Sequence, residues 1–460
     1  MFLSKYACIV TVLGNKYLLN TFNSALIALD DTTAEKISNT SSVNLEKMFA
    51  PEEYSLLISE GFLVDEHEEE RRLLSTKMDY HGSKYKPTAT LKIDIGITDK
   101  CNFACPYCFE NGNKNTQNFC PEKYTYSELF SELRTYILNR VNSGVKDVEI
   151  VWYGGEPSLE FDFICFANRK ILSDSSTHNF RFGNIIITNG YCIDHRYVNV
   201  LKEQNVKYVQ ITIDGLSDTH NSRRNTVPKT DSFGKILTNI DDLLANDIEV
   251  VIRINVDTSN AAEICKLLDF LHQRFSKDLI GRLLFVDFGR VFGSKLSMSH
   301  NEYESVYREL YLKACSLGFI EPGFEVSPVG AFCDAETQND NLVIDFMGNK
   351  YKCWNDIFNP LLTVGNVYSD SANLNADRAQ EIEALYLERL SLDSTNGGKC
   401  LDCEFIKYCG GLCPYNRKLI LNGMDTDIYI NDVCKDIVKY RIETFIEGYL
   451  IKNGLCTNDD

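Results

Sequence analysis

The sequence predicts an α/β fold: a partial, TIM-like (β/α)6 barrel over residues 86–300, a small winged-helix-like α+β domain with its linker over 1–85, and a cysteine-rich domain over 301–460. Three observations carry this reading. From residue 91, short β-rich runs alternate with helical stretches, the rhythm of a parallel sheet with helical crossovers. Before residue 70, strand-like runs broken by Gly and Asn give way to helical ones. After residue 300 the rhythm stops and cysteines crowd together.

The first domain opens with YACIVTVLG, KYLLNTF and SALIALD, three strand candidates for a small antiparallel sheet. TTAEKISN and PEEYSLLISE follow as helices, the second with Pro and two Glu in its first turn. GFLVDEHEEE adds a closing strand, and the charged, proline-marked stretch to residue 90 reads as a helix plus linker. The barrel strands are LKIDIGIT (91–98), VEIVWYGG (148–155), NIIITNG (184–190), VQITIDG (209–215), EVVIRINV (249–256) and LLFVDFG (283–289). Between them lie helices beginning at EKYTYSELF, DFICFANRK, HRYVNVLKEQ, SFGKILTN and AAEICKLL. Loops at the carboxyl ends of such strands are where these folds carry chemistry. The last domain reads as helices near 301–317 and 375–391 flanking the hairpin LVIDFMGNKYKC, and a final helix from Cys434.

Composition narrows the function classes. With 460 residues, 44% hydrophobic and 24% charged, the chain is globular and holds two or three cores. A net charge of -18 with no Lys/Arg block argues against a nucleic-acid partner. No apolar run reaches the roughly 20 residues of a membrane span, and the amino terminus has no cleavable signal pattern, so a cytoplasmic protein is expected. In a reducing compartment, 17 cysteines favour metal over disulfides. Ten cluster; Cys8, Cys120, Cys165, Cys192, Cys265, Cys315 and Cys456 are scattered and read as packing or incidental thiols.

Residues 101–108, CNFACPYC, lie just past the first barrel strand. Thiolates suit iron–sulfur clusters or zinc, but zinc usually takes paired knuckles and four ligands. Three cysteines holding a four-iron cluster would leave one iron open. Cys101, Cys105, Tyr107 and Cys108, as C-x3-C-x-aromatic-C after a first strand, resemble the signature of radical S-adenosylmethionine (SAM) enzymes. The resemblance implies a 4Fe–4S cluster that binds SAM through its open iron. YGGEP (153–157) resembles the family's GGEP motif, so Gly154 and Gly155 would let backbone approach SAM and Glu156 would hold its amino group. By the same resemblance Thr212 and Arg224, in ITIDG and its D-G-x4-H-x3-R continuation, are candidates for the SAM carboxylate or ribose. Asn189, Asp214 and His220 would order the loops around SAM, and Arg253 and Asn255 point into the same pocket.

The carboxyl-terminal cysteines resemble the seven-cysteine SPASM pattern: Cys333, Gly348-x4-Cys353, Cys400-x2-Cys403-x5-Cys409-x3-Cys413 and Cys434. This implies two auxiliary 4Fe–4S clusters, an outer one on Cys400, Cys403, Cys409 and Cys434 and an inner one on Cys333, Cys353 and Cys413. The resemblance implies a further inner-cluster cysteine shortly after Cys333, but residues 334–347 contain none, so a remote group supplies the fourth ligand or one iron is open. The resemblance covers roughly residues 91–440 and implies a maturase of ribosomally made peptides that forms a thioether or other side-chain crosslink. Its partners would be a precursor peptide, whose leader the first domain binds by strand addition, and a reductant such as flavodoxin or ferredoxin. Two alternatives compete: an anaerobic sulfatase-maturating enzyme, and a non-enzymatic iron–sulfur electron-transfer protein. The former carries an Asp directly after the Gly-x4-Cys cysteine, where this chain has Trp354 and only later Asp356.

Overall fold

A computed structural model describes residues 2–39, 49–67, 89–111, 125–224, 226, 230–325, 341–368, 403–409 and 433–455. The first domain forms β1 (Phe2–Leu3), β2 (Ala7–Val12), β3 (Asn15–Asn20), β4 (Ala25–Leu29), helices Asp31–Asn39 and Pro51–Ser59, and β5 (Leu63–Val64). β2, β3 and β4 make an antiparallel sheet, and β1 pairs with β5. Val12 pairs with Asn15, so Leu13 and Gly14 alone make the β2–β3 turn, both at positive φ as a tight hairpin of this hand requires.

The barrel strands are β6 (Thr90–Gly96), β7 (Asp147–Tyr153), β8 (Arg181–Thr188), β9 (Val206–Thr212), β10 (Val250–Val256) and β11 (Leu284–Arg290). They lie side by side in chain order, all parallel. Alternation explains their two faces. In β6, Leu91, Ile93 and Ile95 are buried in the main core, and in β10 Val250, Ile252, Ile254 and Val256 are fully buried. The residues between them, Lys92 and Asp94 or Arg253 and Asn255, face the other way into the barrel lumen. The intervening helices Tyr126–Asn142, Phe161–His178, His195–Lys202, Ser232–Ala245 and Ile264–Arg274 occur where the apolar pattern places them. The helix Ser217–Arg223, inside the D-G-x4-H-x3-R stretch, was not expected. The core also holds Trp152, wholly buried, whose Nε1 donates to Asn168 Oδ1 at 3.0 Å.

Beyond residue 300, helices His300–Ser316 and Val433–Lys452 form as expected. The hairpin β12 (Asn341–Asp345) and β13 (Asn349–Tyr351), followed by β14 (Gly365–Asn366), is not a separate unit. β12 adds parallel to β6, so these strands extend the barrel sheet past its first strand. The expected helix near 375–391 and the helix-linker after residue 67 lie outside the described residues, apart from Ala89 and Thr90.

The first domain docks on the carboxyl-terminal part. Val10, Val12, Tyr17 and Leu19 share an apolar cluster with Phe324, Phe405, Ile442, Ile446 and Leu450. Thr11 N donates to Glu443 Oε1 at 3.0 Å, and Thr21 Oγ1 donates to the Glu404 carbonyl. The last helix is clamped to His300–Ser316 by Arg308–Glu447 and Arg441–Glu304, with the Arg441 guanidinium 3.6 Å over the Tyr307 ring. No described helix is long and apolar enough to cross a membrane.

Candidate active site at the carboxyl ends of the barrel strands

The cysteine loop leaves β6 directly. Ile97 N is held by the Tyr153 carbonyl at 3.0 Å, and Lys100 O receives Glu156 N at 2.8 Å, so this loop and the Gly-Gly turn are built against each other. Phe103 N donates to Cys101 Sγ at 3.4 Å and Cys108 N to the Cys105 carbonyl at 3.2 Å. The desolvating loop pushes the Cys101 thiol up to about 12; the Phe103 N–H offsets part of this, while Glu156, Cys105 and Cys108 all lie near enough to repel a thiolate. Three thiols on one loop, with burial raising Cys101 and Cys105, are a donor set that a cation would help to ionise together. No group of three or more His, Cys, Asp or Glu among the described residues is arranged around a single ion. A four-iron cluster makes no such demand, because it spreads its thiolates over separate iron atoms.

Gly154 and Gly155 sit at φ 83 and 54. A Cβ on Gly155 would strike the carbonyl oxygens of Lys100 and Thr98, and one on Gly154 would strike Gly96. Only glycine lets the turn lie this close to the cysteine loop. Gly155 N donates to the Glu110 carboxylate at 2.9 Å; no sequence motif marks Glu110, two residues past Cys108.

Several of the residues expected to meet SAM are also bonded within the protein. Glu156 is 1% exposed, and its carboxylate accepts Ser158 N, Thr188 Oγ1 and Asn189 N, the last at 2.7 Å. It knits the turn after β7 to the end of β8. Asn189 donates to Asn102 Oδ1 at 2.7 Å and accepts Tyr191 N at 2.9 Å, which orders the cysteine loop as expected. Tyr107 and Arg224 meet each other: the Arg224 guanidinium donates to Tyr107 Oη at 2.8 Å, and that hydroxyl donates to Asp214. Arg224 also lies over the Phe103 ring. Both side chains therefore anchor the cysteine loop to β9.

Behind them the knot continues. Arg223 grips Asp257 through Nη1 at 2.7 and 2.8 Å and lies over the Tyr107 ring. Asp214 accepts Asn255 N at 2.9 Å. His220 is fully buried with Nδ1 accepting Asp214 N at 3.4 Å; burial, aided by Arg224 and Arg223, pushes its pKa down to about 3, so the ring is a neutral structural acceptor.

The lumen side differs. Arg253 stands in register between Thr212 and Asp287, pairs with Asp287, and gives Nε to Asn255 Oδ1 at 3.3 Å. The guanidinium lies where a Gly289 side chain would be. The pair stays partly exposed, 31% and 48% by side chain. Asp287 had no mark in the sequence, because pairing across strands depends on register.

Of the auxiliary set, Cys353, Cys403, Cys409 and Cys434 are described; Cys333, Cys400 and Cys413 lie outside the described residues. Cys403 and Cys409 bracket a turn and the short helix Ile406–Cys409, which packs on the first domain with Cys8 beside it. Cys353 ends the hairpin next to β6. Ile357 and Phe358, just after it, press on Gly96 and Gly154, where side chains would collide with them. Asp356 is wholly buried.

Residues 95–271 match the family model of the Radical SAM superfamily. The chain is 23% identical over 384 residues to the serine-type anaerobic sulfatase-maturating enzyme of Bacteroides thetaiotaomicron, a match covering 77% of this chain and 89% of that protein. It is 21% identical over 374 residues to the radical SAM cyclopropyl synthase TigE of Paramaledivibacter caminithermalis, covering 77% and 74%. Its fold resembles native anSMEcpe with bound AdoMet, at a TM-score of 0.57 and 17% identity, over 79% of this chain and 99% of that one.

Proposed function

We propose that the chain is a radical SAM enzyme of the SPASM maturase kind, a reading supported by its match to the radical SAM family model over residues 95–271 and by its likeness to curated maturases, and that it modifies a ribosomally made peptide, joining one of its side chains to a carbon of the same peptide. The observation that carries this is the three-thiol loop held by backbone against the Gly154–Gly155 turn at the mouth of a polar lumen. Cys101, Cys105 and Cys108 would hold a 4Fe–4S cluster, and the backbone at Gly154 and Gly155 would border SAM. Bound there, cluster and SAM would supply radical hydrogen-abstraction chemistry to the peptide. The Tyr107–Asp214–Arg224 knot keeps the loop rigid, and the barrel wall keeps solvent from the reacting carbon. Arg253, Asn255 and Thr212, with Asp287 paired to Arg253, would line the lumen around SAM and the peptide. Cys353, with Cys333 and Cys413, and Cys403, Cys409 and Cys434, with Cys400, would hold two auxiliary clusters that take up the remaining electron. The first domain would bind the peptide's leader, and a flavodoxin or ferredoxin would serve as reductant.

The likeness to a sulfatase-maturating enzyme favours formylglycine formation as the second reading. Against it stand Trp354 at the position of that family's base and the burial of Asp356.

Anaerobic reconstitution tests the proposal. The protein is expected to take up iron and sulfide equal to about three four-iron clusters and to release 5′-deoxyadenosine from SAM. Replacing Cys101, Cys105 and Cys108 with Ala is expected to abolish that release while leaving the auxiliary iron. Bound zinc with iron near zero sinks the proposal. Mass spectrometry of a co-expressed peptide from the neighbouring reading frame distinguishes a crosslink from formylglycine.

A further inference from the structure

We propose that Glu110 is a positioning residue for the three-thiol loop: its carboxylate ties the segment after Cys108 to the Gly154–Gly155 turn and so closes the loop on which the cluster would be held. This rests on the reading of Cys101, Cys105 and Cys108 as cluster ligands.

The loop is tied at both ends to one turn. Before Cys101, the Lys100 carbonyl accepts Glu156 N at 2.8 Å. After Cys108, both carboxylate oxygens of Glu110 accept Gly155 N, at 2.9 and 3.1 Å. Gly155 and Glu156 are consecutive, so two neighbouring amide groups hold the two ends of the segment that carries all three thiols. The turn is itself fixed, because Gly155 sits at positive φ against the carbonyl oxygens of Lys100 and Thr98. Asn111, next to Glu110, carries the tie back into the loop. Its N donates to the Cys108 carbonyl at 3.2 Å, and its Nδ2 donates to the Cys105 carbonyl at 3.3 Å. Glu110 therefore anchors a segment already bonded to two of the three cysteines. Its placement reverses the usual partition of side chains: Glu110 is 5% exposed, while the adjacent Phe109 is 42% exposed. Burying a carboxylate is costly unless its oxygens are hydrogen-bonded, and a backbone N–H to a carboxylate is among the stronger bonds available. Three thiols must converge on one cluster. A loop closed beforehand loses less chain entropy when it is loaded.

The test follows the reconstituted full-length protein under EDTA. Electron paramagnetic resonance of the reduced protein with and without SAM separates the signal that SAM changes, from the cluster with an open iron, from the auxiliary signals. Glu110→Ala and Glu110→Met both remove the acceptor, and Met keeps the length of the side chain, so it carries the test should the Ala variant not fold. In both, the SAM-sensitive signal is expected to decay about tenfold faster than in the wild type, with the auxiliary iron retained. Hydrogen exchange at the Gly155 amide is expected to be faster in the same variants. Glu110→Gln keeps an amide oxygen that can accept Gly155 N, and is expected to restore both readouts. Wild-type decay in Glu110→Ala or Glu110→Met, decay in Glu110→Gln as fast as in those variants, or equal loss of the auxiliary iron overturns the proposal. A wild-type protein with no SAM-sensitive signal instead overturns the functional reading. Exchange at the Gly155 amide in the metal-free full-length protein then still decides whether Glu110 ties the loop: slow in the wild type and Glu110→Gln and fast in Glu110→Met supports the tie, and equal rates in all three overturn it.

Discussion

Two arginine–aspartate sites, one just past the ends of β9 and β10 and one on β10 and β11, do opposite things. Arg223 and Arg224, with Asp214, Asp257 and Tyr107, form a knot whose charged members are nearly or wholly buried. Arg253 and Asp287 form a pair that remains open to the lumen. Buried, charged groups satisfy one another and fix the cysteine loop; removing one strands another in low dielectric. Open, they cost little to separate and are available to a ligand. Residue type and spacing do not distinguish these cases, whereas burial does.

Breaking the knot is the largest expected effect. Asp257→Ala leaves the Arg223 guanidinium buried without its main partner, and is expected to lower unfolding free energy by about 3–5 kcal/mol, read from the urea midpoint. Next is the seam the knot supports: Gly155→Ala puts a Cβ into the carbonyls of Lys100 and Thr98 at positive φ, for an expected loss of about 1–3 kcal/mol in the same assay.

The knot also has a pH signature. His220 is pushed down to about 3 in the fold, while the unfolded chain takes up a proton on this ring below about 6.5. Above that value both states are neutral and the group contributes no pH dependence. As pH falls from about 6.5 towards 3 the unfolded state alone binds the proton, so stability declines by up to about 1.4 kcal/mol per unit. His220→Gln is expected to flatten that slope in urea titrations at pH 6.5 and 5. An identical slope in the variant would show that the ring is not held neutral.

The lumen pair sets the lower end. Arg253→Ala is expected to cost about 1 kcal/mol or less in stability yet to reduce peptide modification, measured by mass spectrometry. A loss of stability as large as that of Asp257→Ala would erase the contrast between the two sites.

Much of the fold was legible because alternation is local. The six barrel strands and their helices follow from apolar spacing, and the turn glycines Gly154 and Gly155 follow from a motif that permits nothing else so close to the cysteine loop. Glu156, Tyr107 and Arg224 were legible as important, but the neighbours that hold each come from distant parts of the chain. Asp287 and Glu110 were invisible, since their partners lie at unrelated points of the chain.

By itself the sequence determined the order of elements, the faces of the strands, and the three-cysteine loop past the first strand, since all are set by spacing along one segment. Only the tertiary structure decided that the hairpin ending at Cys353 joins the barrel sheet beside β6, that the first domain rests on the last helix, and which arginines are locked and which are open. Strand pairing and desolvation depend on what arrives from distant parts of the chain, and no local pattern encodes it.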